Sequence, residues 1–359
     1  MKRITARFIA VVISVALAHG SYAKCKKRIA KQASEPVQEM MVRDDSLQLS
    51  SYALSPITLC EAIAKTTRVI QAISDDIMTV NKQQKQFVNT QYLPYIQKKM
   101  YNLFSSDELQ SYASRDYQEL NNILQNKGFS LRFPQFPRTQ MGILAIQDVL
   151  VHWIAEGLKK SLTVGDATYD SVIIKANMEH EGKRAGEYNV QFFASDPDNM
   201  VVVKLLTKTQ DTVYFAYQRQ KALLSDKPNT AAIAQAVMDC SKKLKDGTYA
   251  SAQEYFNGVQ FPMIWYDVQP DVSWLEKMCI GNARVAQALQ QVIFKMNEKG
   301  ARAQAAAAVI VATAYPGMRK KELLVIDKPF LVWVERPGVA LPIFAGHMNE
   351  EYWKNPGEL

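Results

Sequence analysis

The sequence is poor in the residues that catalysis and metal binding usually require. It has four histidines, His19, His152, His180 and His347, in 359 residues. None belongs to a nucleophile elbow, and no phosphate loop or metal-ligand spacing occurs. Glu179-His180-Glu181 is an acid/base triplet by composition, and it reads more simply as a solvated strand end. The four cysteines, Cys25, Cys60, Cys240 and Cys279, are too few and too scattered for a disulfide framework, and no Cys-x-x-Cys is present. Cys60, Cys240 and Cys279 stand in or beside apolar segments and are expected to be buried free thiols. There is no Asn-x-Ser/Thr acceptor site. These absences argue against an enzyme, a cofactor and a metal site.

Apolar runs of membrane-spanning length are also lacking. Phe8 to Ala18 is an eleven-residue, almost wholly apolar run, too short to cross a bilayer. It follows Lys2, Arg3 and Arg7 and precedes Ser21-Tyr22-Ala23, which puts small residues three and one before Lys24. That order reads as a secretory signal over residues 1–23, with a single domain over 24–359. Cys25 lies outside any lipoprotein-type box. Losing the three basic residues of the leader takes the net charge from +8 to a mild +5. Lys24, Lys26, Lys27 and Arg28 form a short basic tail, which is more often a solvated tail than a partner site. No nucleic-acid partner is expected, and no membrane partner once the leader is removed.

The remainder is ordinary globular sequence, 48% hydrophobic and 22% charged. Ser55-Pro56 opens a helical run through Leu59, Ile63, Val69 and Ile73, with Thr58 and Glu61 spaced as a capping box. Helical spacing continues at Leu109, Tyr112, Tyr117, Leu120 and Leu124, closed by Asn126-Lys127-Gly128. Phe129 to Phe133 alternates like a strand, and Ile143 to Leu162, with Trp153, reads as an amphipathic helix. From residue 168 strands dominate: 171–174, 188–193, 200–206, 259–261 and 264–266, with a helix over 230–244 and a short one over 272–278. Val285 to Met296 begins helical and turns extended. Strand signals close the chain at 323–326, 330–334 and 343–344. No repeat or linker divides the chain, so one mixed α+β domain built on large sheets is expected.

Residues 297–314 carry the strongest signal, Asn-Glu-Lys-Gly-Ala-Arg-Ala-Gln-Ala-Ala-Ala-Ala-Val-Ile-Val-Ala-Thr-Ala. Ala has high helix propensity, so a surface helix or a linker stays open. The β-branched Val309-Ile310-Val311 argues for a strand. As a strand, Ala301, Ala303, Ala305, Ala307, Val309 and Val311 share one small apolar face, while Arg302 and Gln304 share the other. Such a segment can slide between two existing strands.

The order from Phe294 through Asn297-Glu298-Lys299-Gly300 to the alanine run resembles the hinge of the serpins, where Asn-Glu-Glu-Gly-Thr-Glu precedes alanines. Lys328-Pro329-Phe330 resembles the strand after the family's reactive-centre loop, and Leu341-Pro342-Ile343-Phe344-Ala345-Gly346 its closing strand. Weaker matches cover most of the chain. Ser55-Pro56-Ile57-Thr58 resembles the opening of the buried second helix. Val151 to Glu156 resembles the helix over the main sheet, and Val259 to Pro262 a later strand-and-helix unit. The sequence also departs from the pattern. The family's strand with a tryptophan at its end is degraded to Ala176 to Arg184, so that tryptophan is expected to be missing. Residues 220–258 are short for their usual elements, and Arg302 replaces an acidic hinge residue.

The resemblance implies the serpin fold, with a large central sheet, further sheets, about eight or nine helices and an exposed loop near 300–321. It implies a secreted (extracellular or periplasmic), monomeric inhibitor of a serine, or else cysteine, protease. The alternative is a non-inhibitory binding protein on the same fold. Glu298, Gly300, Ala301, Ala303, Ala305 and Ala307 would form the hinge. Counting from the hinge places the scissile bond at Ala314-Tyr315, suited to an elastase-like protease. Counting back from Lys328 places it at Met318-Arg319. Pro316 disfavours cleavage after Tyr315.

Overall fold

The computed structural model describes residues 9–17, 55–73, 76–137, 139–177, 188–209, 211–225, 228–299 and 321–359. Helices lie mostly in the first part and strands in the second, as the sequence pattern predicts. Among the described residues there are four main helices. These are α1 (Pro56–Ile70), α2 (an α–π–α run of Lys82–Phe87, Val88–Tyr92 and Leu93–Gln97), α3 (Tyr117–Asn126) and α4 (Thr230–Lys245).

Three sheets carry the fold. The large one runs through β2 (Ile77–Met78), β13 (Cys279–Ile280), β14 (Ala283–Met296), β1 (Ile9–Leu17), β4 (Gln140–Gln147) and β3 (Leu109–Ser114), and β12 (Ile264–Val268) also pairs with β14. The second has the order β10 (Ala250–Ser251), β7 (Val190–Asp196), β8 (Met200–Leu206), β9 (Thr212–Gln218), β16 (Phe330–Glu335) and β17 (Phe344–Met348). The third has the order β15 (Glu322–Val325), β11 (Phe256–Pro262), β6 (Ala167–Lys175) and β5 (Leu158–Val164).

Aromatic side chains join the sheets. Phe294 of β14 stacks on Phe344 of β17 with ring centroids 4.3 Å apart. Phe215 of β9 meets Phe261 of β11 edge-on at 5.0 Å. Such pairs add about 0.5–1.5 kcal/mol beyond the apolar area they bury.

Several local expectations are corrected. Residues 109–114 form β3, and only 117–126 are helical. Leu120 and Leu124 of α3 pack on the large sheet with Leu144 and Ile146. The approach is close at Gly142, where an added Cβ would lie 2.3 Å from Leu120 Cδ1. The helix over the large sheet is therefore α3 and not 151–156. Residues 143–162 are β4, an irregular stretch and the start of β5. Met141 to Gln147 are buried on both faces of a central strand, and a continuous apolar run does not distinguish that from a buried helix. The same reasoning makes β14 extended along its whole length. Residues 129–137 run without regular structure, and 272–278 hold only a 3-10 turn at Ser273–Leu275.

The Thr58–Glu61 capping box does not form either. The N-cap is Ser55, and Glu61 lies buried in the helix. It accepts hydrogen bonds from Tyr95 and Ser111, each at 2.7 Å, and pairs with Arg68. Burial and the Glu61 charge push the Tyr95 phenol upward. Cys60 and Cys240 are free and buried as expected, whereas Cys279 is disulfide-bonded. Burial raises both free thiols, Cys240 to about 11.

Candidate functional site: a loop junction and a strand slot

Residues 300–320 connect two different sheets. Their upstream neighbour is the end of β14 in the large sheet, and their downstream neighbour is β15, which pairs in parallel with β11 in the third sheet. Both junctions are pinned. Upstream, the Asn297 carbonyl accepts the indole N–H of Trp153 at 3.0 Å, and the Asn297 amide donates to the Gly357 carbonyl at 2.9 Å. The Glu298 carbonyl accepts the Gly157 N–H at 2.8 Å, and its buried carboxylate pairs with Lys159 at 3.0 Å. Downstream, the Lys321 ammonium donates to the Gln253 carbonyl at 2.9 Å, and the Lys321 carbonyl accepts from the Asn257 amide at 3.2 Å.

Glu298 is thus the one expected hinge residue that falls in the described part. Gly300, Ala301, Ala303, Ala305 and Ala307, and the bond candidates Ala314, Tyr315, Met318 and Arg319, lie outside the described residues. A tryptophan does stand where the chain leaves the large sheet, against expectation. It is Trp153, buried, with its ring edge toward Phe261 at 6.3 Å. The sequence carried it openly, but the helical reading of 143–162 hid its place.

Beside this junction the large sheet holds a strand-wide slot between β4 and β14. Strand β1 occupies it, antiparallel to both neighbours. Its nine residues pair from Ile9↔Val292 to Leu17↔Ala283 on one side and from Ile9↔Gln147 to Ala16↔Gln140 on the other. Ile13 at its middle is fully buried. A chain leaving β14 and reversing direction would run through this slot in the same sense as β1.

A buried polar group at the start of α1 ties the two walls of the slot together. Ser55 Oγ lies within donating distance of Gln147 Oε1 on β4 (3.0 Å) and of the Ile343 carbonyl (3.1 Å). Gln290 on β14 donates through Nε2 to the Ser55 carbonyl (3.2 Å) and to Thr58 Oγ1 (3.3 Å). Gln147 Nε2 and Gln290 Oε1 are buried without a hydrogen-bond partner among the described residues. Ser55 and Thr58 were legible as the opening of a helix. Nothing in the sequence marked the two glutamines.

Away from the slot residues, Arg336 clamps Asp211 and Glu108. It donates to both carboxylate oxygens of Asp211 (2.7 and 2.8 Å), to both of Glu108 (3.0 and 2.6 Å) and to the Leu103 carbonyl (2.8 Å). Burial alone would push the Glu108 carboxyl up, but the hydrogen bonds from Arg336 and Ser105 outweigh it and hold the group below the usual range.

The described residues thus combine four main helices, three sheets and a connection from a central strand of the large sheet to another sheet. Residues 264–350 match the family model of the serpins, the serine protease inhibitors. Tengpin, a thermophilic serpin in its native state, is similar in fold, with a TM-score of 0.50 at 11% identity over 90% of this chain and 98% of tengpin. Serpin48 from the insect Tenebrio molitor gives 0.47 at 8% identity, over 86% and 99%. Human thyroxine-binding globulin complexed with thyroxine gives 0.46 at 12% identity, over 91% and 95%. No curated protein matches by sequence. The chain has the serpin fold, and its residues 264–350 match the serpin family model.

Proposed function

We propose that the exported chain, after removal of residues 1–23, is a protease inhibitor of the serpin type. The observation that carries this reading is the slot between β4 and β14, wide enough for one strand and set beside the junction from which residues 300–320 depart. In the proposed mechanism a serine protease (or a cysteine protease) attacks the loop, at Ala314-Tyr315 or at Met318-Arg319. The protease serine forms an ester with the new carboxyl end, and the new amino end leaves. The freed loop then enters the slot as a strand, led by Gly300 and the small face of Ala301, Ala303, Ala305 and Ala307. Each backbone hydrogen bond gained contributes about 0.5–1.5 kcal/mol net. The attached protease is carried along and distorted before water reaches the ester. The chain itself is bait and not a catalyst, it works as a monomer, and its place is outside the cytoplasm.

The test is to incubate residues 24–359 with elastase, chymotrypsin and trypsin and to look for a complex stable to denaturing electrophoresis. Mass spectrometry of the released peptide reads the cleaved bond. Cleavage without a stable complex from any protease would overturn the inhibitor reading. Ala303→Arg should shift the protein from inhibitor to plain substrate, because a long charged side chain cannot enter the buried face. A second reading, a binding protein that does not inhibit, is favoured by the filled slot, which leaves the loop nowhere to go while β1 is in place.

A further inference from the structure

Strand β1 is the apolar run that the sequence marks as the core of an export leader, yet it sits in the middle of the largest sheet. It pairs on both sides, over nine positions against β14 and eight against β4. Its direction, antiparallel to both, is the direction that the segment after β14 must take to enter the same sheet. The two segments are also alike in length and chemistry. Ile9-Ala-Val-Val-Ile-Ser-Val-Ala-Leu17 holds five β-branched aliphatic residues, and Ala303-Gln-Ala-Ala-Ala-Ala-Val-Ile-Val311 holds three. The first is the stronger strand former of the two. One slot therefore has two candidate occupants in a single chain.

The polar groups at the slot agree with a site that changes occupant. Gln147 faces Ile9 in register and Gln290 faces Val11. Each is buried, and each leaves one group unused: a donor on Gln147 and an acceptor on Gln290. Buried polar groups without partners are rare and call for a physical reason. Here the two orphans are complementary, and they stand on opposite walls of the slot. With β1 gone, β4 and β14 are free to close on each other, and the donor of one wall can meet the acceptor of the other.

We infer that residues 9–17 act as an internal blocking strand in the unprocessed chain. While they are retained, the large sheet is complete, and the segment after Gly300 cannot enter it. Cutting the leader away empties the slot and makes the loop competent to insert. Processing of the leader thus arms the protein as well as releasing it for export. This inference rests on the inhibitor reading for its consequence, but its structural content, Ile13 between β4 and β14, is tested separately.

The experiment uses the full chain, made in a cytosol without signal peptidase, beside residues 24–359. Ile13 pairs with Ala288 in register, and directly opposed residues in a sheet lie within disulfide reach. Ile13→Cys with Ala288→Cys should cross-link under oxidised glutathione, whereas Ile13→Cys with Val292→Cys, four positions out of register, should not. Peptide mapping distinguishes the new bond from those of the native cysteines. Failure of the in-register pair to cross-link, or equal cross-linking of both pairs, would overturn the inference. The second measurement is the rise in melting temperature on loop cleavage. It should be near zero for the full chain, large for residues 24–359, and restored in the full chain by Ile13→Asp. An equal rise in the full chain and in residues 24–359 would also overturn the inference. In-register cross-linking, together with cleavage of residues 24–359 that yields no covalent complex, would keep the blocking strand and remove the inhibitor reading.

Discussion

Trp153 offers a direct test of how the loop junction is held. Its indole N–H is the donor to the Asn297 carbonyl at 3.0 Å, three residues before Gly300. The ring itself is buried against Phe261. Trp153→Phe retains an aromatic ring of smaller size and removes the donor. A buried carbonyl left without its partner costs about 1–3 kcal/mol. Trp153→Ala removes the ring as well and leaves a cavity, for an expected cost of about 3–5 kcal/mol. The assay is chemical unfolding of the two variants beside the parent, with hydrogen exchange followed at Asn297, Glu298 and Lys299. The Phe variant should lose about a third to three-fifths of what the Ala variant loses, following from these ranges. Its exchange should quicken at the junction and not across the second sheet. If Trp153→Phe is as stable as the parent and exchange at 297–299 is unchanged, then the indole does not hold the junction.

Further outcomes follow from the same geometry. Arg336→Ala removes the partner of Asp211, whose side chain is 1% exposed, and breaking such a buried pair costs about 3–5 kcal/mol. Adding Asp211→Asn should recover part of that loss in the same unfolding measurement. Glu108 has a folded-state pKa below its unfolded value of about 4.5, so its contribution is present above that pH and is lost as pH falls through the lower folded value. Acid titration of stability should therefore steepen below about pH 4.5 in the parent and flatten in Arg336→Ala. Cys60 and Cys240, buried and with raised pKa values, should resist alkylation at pH 7 in the folded protein and react after unfolding. Cys279 should react only after reduction.

Legibility was uneven, and the reasons are physical. Short β-branched runs bounded by turn residues, such as 171–174 within β6 and 200–206 of β8, were legible as strands. The helix over 230–244 was clear because one face is solvated. Central strands failed for the opposite reason. Met141 to Gln147 and the interior of β14 are covered on both faces, so their patterns carry no period. The helical reading of 143–162 kept Trp153 away from the junction, and the degraded match at 176–184 gave the expectation that no such tryptophan existed. Cys279 was read as a free thiol because its apolar neighbours gave no sign of its disulfide.

The sequence alone carried the likeness to the serpins. The small-residue face after Gly300, the Lys328-Pro329-Phe330 segment and the run from Leu341 to Gly346 are local strings, and local strings survive divergence when the chemistry at each position is narrow. It also marked Phe8 to Ala18 as the core of a secretory signal over residues 1–23 and not as a sheet strand. Tertiary structure decided the rest. It brought Gln147 and Gln290, far apart in the chain, onto Ser55, set Trp153 under Asn297, and placed Ile9–Leu17 between β4 and β14. A strand's partners depend on which edges are left unpaired when the sheet assembles, and that is a property of the whole chain and not of any segment in it.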